Sequence, residues 1–135
     1  MAQYVSRSGT QNVEKLTPST IDTAGAVTYT TAQMLGGIIL RDPNGAGRSD
    51  VTPTAALLVS GLPPQARIAE GTFICHLINT ANGAETITLT AGNGVTLVPA
   101  TVTVAQNENA LLLVRYTDVR GSSEAVTIYA MVAGG

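Results

Sequence analysis

The chain has 135 residues and a mass of 13.8 kDa, the size of one domain with a substantial core. Nine acidic and seven basic residues leave a net charge of -2, and charged residues make up only 12% of the chain. This balance argues against nucleic-acid binding, because contacts to phosphates depend on a strongly basic protein surface. Aromatic residues supply only 4% and tryptophan is absent, so platforms for stacking bases or sugars are scarce.

The single cysteine and the single histidine are neighbours, Cys75 and His76. One cysteine cannot form an intrachain disulfide. Adjacent strand residues point to opposite faces, so these two cannot bind one metal ion or form a nucleophile–base pair. We therefore expect no catalytic residue, no metal site and no cofactor. Because no signal peptide or membrane-spanning stretch is recognisable, we also expect a cytoplasmic origin and no membrane partner.

Residues 1–25 are rich in Thr, Ser, Gln and Asn, and their scattered apolar residues follow neither a helical nor a strand period. Such a segment stays disordered unless a surface holds it, either on a neighbouring molecule or on the chain's own domain. We expect an extended N-terminal arm. Its apolar residues are predicted to pack on a neighbouring subunit or a larger particle: Tyr4, Val5, Val13, Leu16 and Ile21.

The next segment carries signals for short elements separated by turns. Residues 26–29 predict a short strand, and Thr30 with Gln33 has the spacing of a helical capping box that Gly36-Gly37 brings to an early end. Residues 38–40 predict a buried strand, and residues 41–45 a turn. A second short helix is predicted over residues 54–59, with Thr52 or Thr54 as its cap.

The remainder of the chain predicts strands and turns. Residues 73–78 are apolar on both faces except at His76, which favours a central strand covered on both sides. Residues 86–90 and 101–104 alternate, and the dipeptide Asn82-Gly83 and residues 92–94 carry hairpin signals. Two further strands are predicted over residues 110–116 and 125–132. Together these features predict an all-β, single-domain β-sandwich or jelly roll over residues 26–135, with one or two short helices.

Alternation in the last two strands separates an inner set of residues from an outer one. Once Leu112, Val114, Val126, Ile128 and Ala130 are assigned to the core, an apolar set is left over on the other face. Strands that are apolar on both faces, on a surface low in charge, favour association between copies. We predict that this remaining set forms the subunit interface: Leu111, Leu113, Tyr129 and Met131.

Three stretches carry a family resemblance: residues 27–45 (VTYTTAQMLGGIILRDPNG), residues 79–80 with 85–89 (NT and ETITL), and residues 92–97 (GNGVTL). They resemble the small virion proteins of tailed bacteriophages, in which a strand, a short helical turn and a Gly-Gly-x-Ile-x-Arg-Asp-like segment lead into a Thr-rich β-domain. The resemblance covers roughly residues 26–132 and leaves the arm outside it.

The resemblance implies a capsid cement or decoration protein. Such a protein is a β-sandwich that forms a homotrimer on the outer capsid surface and stabilises contacts between subunits of the major capsid protein. It implies a location on the virion after assembly in the host cytoplasm. Head-fibre and tail-fibre tip domains share this style of sequence, so a receptor-binding tip remains the alternative.

Overall fold

The computed structural model describes residues 3–5 and 12–134, with side chains from residue 15 onward. The described chain is mainly β and contains two short α-helices, as the sequence predicts. The helices are α1 (Thr31–Leu35) and α2 (Ala55–Ser60), and a single 3-10 turn covers Pro64–Ala66. The strands are β1 (Gln3–Val5), β2 (Asn12–Glu14), β3 (Ser19–Ile21), β4 (Ile38–Arg41), β5 (Arg48–Val51), β6 (Thr72–Asn79), β7 (Ile87–Thr90), β8 (Val95–Val98), β9 (Val102–Val104), β10 (Asn109–Asp118) and β11 (Ala125–Ala133).

Two sheets make up the body of the fold. One has six strands in the order β3-β4-β6-β10-β11-β8, and the other has three in the order β5-β7-β9. Strands β1 and β2 pair separately as an antiparallel ribbon. Within the described residues four of the eight strand pairings are parallel, which differs from the antiparallel arrangement of a jelly roll.

Both sheets contribute residues to one core. Buried residues of both sheets and of both helices belong to one apolar cluster. In β10 the even-numbered residues from Ala110 to Tyr116 face this core, and in β11 Val126 and Ile128 do so, as alternation predicts. The prediction assigned Ala130 to the core as well, and this residue is partly buried against it.

The helices begin where the sequence predicts. The Thr30 hydroxyl accepts a hydrogen bond from the Gln33 backbone N–H (3.1 Å), and the Gln33 side chain accepts one from the Thr30 N–H (2.8 Å). These two bonds complete a capping box. At α2 the cap is Thr54, whose hydroxyl accepts from the Leu57 N–H at 3.2 Å. Thr52, the other candidate cap, instead accepts from the Gly92 N–H.

A buried ion pair joins the two sheets. Arg41 on β4 and Asp50 on β5 are both 0% exposed, and Arg41 Nε donates to Asp50 Oδ2 at 2.8 Å. The Tyr29 hydroxyl donates to the same carboxylate oxygen at 2.7 Å, while Arg41 also donates to the carbonyls of Thr23 and Gly25. Burial tends to lower the pKa of Arg41, but the hydrogen bonds and charge of Asp50 outweigh it and raise that pKa. Burial, and then Asp50, raise the pKa of Tyr29.

Three expectations about local structure are wrong. Residues 26–29 do not form a strand and contribute only one bridge, between Thr28 and Val51. Asn82-Gly83 does not close a hairpin, because β6 and β7 lie in different sheets. Residues 92–94 do not close one either, because β7 and β8 lie in different sheets and the segment crosses between them. Gly92 is required at this crossing, since a Cβ there would lie 2.6 Å from the Pro53 carbonyl oxygen.

The expected boundary between arm and domain at residue 25 also differs from the structure. Strand β3, with Ile21 at its end, is an edge strand of the six-stranded sheet and pairs in parallel with β4. Thr17 N–H donates to the Gly36 carbonyl at 2.8 Å, so the chain joins the domain before β3. This segment has too few apolar residues to predict a strand on its own. Its extended conformation depends on pairing with β4, which the local sequence does not show.

Candidate functional site

The most prominent surface of the molecule is the side of the six-stranded sheet that faces away from the core, which we name the outer face. The difference between the two sides of the sheet is clear along strand β6, where buried side chains alternate with exposed or half-buried ones. The residues of the outer face are Ile38, Leu40, Ile74, His76, Ile78, Val98, Leu111, Leu113, Tyr129 and Met131.

The strand register arranges these side chains in rows across the sheet. One row runs from Ile38 to His76, then to Leu111 and to Met131, crossing β4, β6, β10 and β11. Directly opposite residues in neighbouring strands lie close enough for their side chains to interact. Three of the four side chains in this row are apolar, and the imidazole of His76 is the polar one.

A second apolar row lies beside the first. It runs from Ile74 through Leu113 and Tyr129 to Val98, crossing β6, β10, β11 and β8. Ile74 is 48% exposed and Tyr129 37% exposed, so this row is open to solvent in the single chain. Scattered apolar residues are normal on a protein surface, but contiguous rows of them mark an interaction site.

Charged groups border the outer face. Arg115, in the next row, donates from Nε to Glu70 Oε2 at 2.7 Å and from Nη1 to the Tyr129 hydroxyl at 3.2 Å. The hydrogen bonds to Glu70 and then to Tyr129 raise the pKa of Arg115. This ion pair is exposed and holds the tyrosine ring at the edge of the apolar rows.

The four residues predicted for the subunit interface all lie on the outer face. Met131 is 66% exposed and Leu113 is 36% exposed, while Leu111 is half-buried between its neighbours. The structure thus groups the predicted residues on one surface of the chain. That a second copy covers this surface stays a prediction.

Several members of the outer face were missed because β6 was expected to be covered on both sides. That expectation is wrong: Phe73, Cys75 and Leu77 are buried, but Ile74 and His76 are exposed. The apolar character of both faces was the available signal. This character predicts a covering layer on each side, whereas the described residues supply a layer on one side.

The predicted arm contacts have different positions. Tyr4 and Val5 lie in β1 and Val13 in β2, and the side chains of all three fall outside the described residues. Leu16 is 48% exposed and lies over Gly37 of its own chain, where an added Cβ would be 2.6 Å from Leu16 Cδ2. Ile21 packs against the chain's own core, which differs from the predicted contact with a neighbour.

A second candidate site is an apolar pocket of about 340 Å³. It lies between the 3-10 turn and the start of β6, with Leu62, Ile68, Phe73 and Tyr116 in its wall. Its lining contains no charged side chain. No cluster of three potential metal ligands occurs within the part of the chain that the structure describes.

Comparison with known proteins adds no relative. No family model, no curated protein and no solved structure matches the chain. Among the described residues no helix has the length and apolar character needed to cross a membrane. The outer face is therefore the feature from which a function is best inferred.

Proposed function

We propose that this chain is a structural protein of a virus particle, a decoration protein that forms homotrimers on the outer capsid surface and stabilises contacts between major capsid subunits. The observation that supports this proposal is the outer face. Two contiguous apolar rows, exposed in the single chain and bordered by an ion pair, are costly to leave in water. The resemblance of residues 26–132 to small virion proteins of tailed bacteriophages supports the same function.

In this proposal the two sheets form a β-sandwich whose six-stranded sheet turns its outer face toward a neighbouring copy. Leu111, Leu113, Tyr129 and Met131 then lie at the subunit interface. Closed cyclic symmetry is the usual arrangement of homo-oligomers, and a threefold assembly fits sites on the quasi-hexagonal lattice of a shell. The β1–β2 ribbon, which pairs with neither large sheet, is proposed to contact the capsid or a neighbouring subunit.

The role on the particle is tested by counting copies. Quantitative mass spectrometry of purified virus particles gives the ratio of this chain to the major capsid protein. A decoration protein is expected at a ratio approaching one copy per shell subunit. A few copies per particle would instead indicate a fibre or a receptor-binding tip, and complete absence from the particle would overturn both virion functions.

The interface is tested by placing a charge in it. Met131→Glu puts a carboxylate in the first apolar row and is expected to abolish self-association while leaving the fold intact, because Met131 is already 66% exposed. Leu57→Glu is the matched control, since Leu57 is 56% exposed on α2, outside the outer face. Analytical ultracentrifugation measures both. Equal association of the two variants would contradict the proposed interface.

The contribution of the ribbon is tested by deletion. Removing residues 1–14 leaves β3 and its pairing with β4 in place. We expect the shortened chain to fold and to self-associate but to bind capsids more weakly, as measured by cosedimentation with undecorated shells. Capsid binding at full strength would exclude a role for this segment.

A further inference from the structure

His76 is the one imidazole in the two apolar rows. It lies on β6, with Ile38 opposite it on β4 and Leu111 opposite it on β10. Ile74 and Ile78 are its neighbours on the same face of β6. The imidazole is exposed in the single chain and is surrounded in the sheet by four aliphatic side chains.

Among the residues whose side chains the structure describes, the charged groups of the elements around His76 lie toward the borders of the outer face. Arg115 of β10 is two rows away and already donates to Glu70, and Asp42 follows β4 two residues beyond Leu40. The segment before β3 contributes Lys15, next to the Leu16 that covers Gly37. On β11 the facing residues are Tyr129 and Met131. None of the residues opposite His76 in its own row is a carboxylate that would compensate a positive imidazole.

We propose that His76 is a pH-sensitive switch in the interface, so that a second copy of this chain covers the outer face only while the imidazole is neutral. The inference rests on the proposed self-association through this face. A neutral imidazole is a moderately polar ring that an interface tolerates when one nitrogen finds a hydrogen-bond partner. A protonated imidazole in the same place is a charge removed from water without a counter-ion, which strongly opposes burial.

The direction of the effect follows from this difference. Histidine gains its charge as the pH falls from about 8 to about 5. Protonation favours the exposed outer face of the separate chain, and therefore the assembly dissociates on acidification. The core is not involved, since His76 lies on the opposite side of β6 from Cys75 and the other buried residues of that strand.

The test is the self-association constant of the full-length chain at about pH 8 and about pH 5.5, measured by sedimentation equilibrium. We expect the wild-type assembly to be at least about tenfold weaker at the lower pH. His76→Gln, which keeps a polar neutral side chain, is expected to associate equally at both values. Circular dichroism at both pH values establishes that each variant stays folded.

A relocated histidine provides the matched control. The double variant His76→Gln with Ala56→His carries its one imidazole on an exposed position of α2, outside the outer face, and is expected to show no pH response. Equal association of the wild type at both pH values, or the same pH response in His76→Gln, would overturn the switch and leave the interface standing. A wild-type chain that is monomeric at both values would overturn the switch and the proposed trimer together.

Discussion

The two faces of the six-stranded sheet have similar apolar residues and different surroundings. Leu112 and Leu113 are consecutive leucines of β10, yet Leu112 is 2% exposed and packs in the core, while Leu113 is 36% exposed on the outer face. The three-stranded sheet and the helices cover one side and leave the other open. The comparison shows that hydrophobicity alone does not identify the core of this chain, because one apolar face of the sheet stays exposed within the described residues.

The same contrast holds for the charged residues. The inner side contains the Arg41–Asp50 pair, fully buried and hydrogen-bonded to Tyr29 and to backbone carbonyls. The ion pairs at the surface are open to solvent: Arg115 and Glu70 are both exposed, and Arg120 is exposed while its partner Asp118 is half-buried. Buried pairs depend on every partner being present, whereas exposed pairs contribute little to folding.

The largest effect is expected when the buried pair loses its negative charge. Asp50→Asn leaves the Arg41 guanidinium buried without a counter-ion and should lower the free energy of unfolding by about 3–5 kcal/mol. Asp118→Asn is the control at an exposed pair and should change stability little. Urea denaturation followed by circular dichroism measures both variants. Similar midpoints for the two would show that the buried pair does not hold the sheets together.

The second-largest effect is a difference in stability between two alanine variants, at Leu112 and at Leu113. Leu112→Ala opens a cavity in the core and should cost about 2–5 kcal/mol, whereas Leu113→Ala should cost less than about 1 kcal/mol in the dilute single chain. Both changes remove the same atoms from adjacent residues of one strand, so each serves as the control for the other. Comparable losses of stability in urea denaturation would mean that the outer face is also packed within the chain.

A smaller effect is expected from acid. Hydrogen bonds from the Arg120 side chain and backbone lower the pKa of Asp118 from 3.8 to about 2. A carboxylate whose pKa is lower in the folded state contributes stability that is present above its unfolded pKa and is lost as the pH falls through the folded one. Stability should therefore decline slightly between pH 3.8 and about 2, and Asp118→Asn should flatten that part of the curve. An unchanged acid limb in the variant would contradict this assignment.

The last prediction concerns chemical reactivity and compares the adjacent side chains of Cys75 and His76. Burial raises the pKa of the Cys75 thiol to about 12, so the native protein should not react with an aromatic disulfide reagent at mildly alkaline pH. His76, exposed on the opposite face, should be modified by diethyl pyrocarbonate under the same conditions. Modification of His76 should slow at protein concentrations that favour assembly. Rapid labelling of Cys75 in the native chain would show that β6 is not closed on its inner side.

Much of this fold could be predicted from local signals. The capping box at Thr30 and Gln33, the alternation of β10 and β11, and the opposite orientation of Cys75 and His76 all depend on spacing along a few residues. The four interface candidates were placed together for the same reason. A period of two assigns each residue of a strand to a face without knowledge of the rest of the molecule.

Pairings between distant segments could not be predicted in this way. Strand β3 was assigned to the arm, because three residues carry little signal until β4 pairs with them. Residues 92–94 have the composition of a hairpin, yet the close approach of Gly92 to Pro53 belongs to a crossing between sheets. Both depend on partners far away in the sequence, which composition and period do not report.

The mainly β character of the chain, the start of its two helices and the residues that share a face all follow from local backbone geometry, so they could be predicted from the sequence. Which apolar face is covered depends on how distant segments pack. The chain builds one three-stranded layer and packs it on Leu112 and its neighbours, and no second layer reaches Leu113 within the described residues. Burial is a property of the whole packed molecule, and for this reason β6 is central in its sheet and still open on the side of His76.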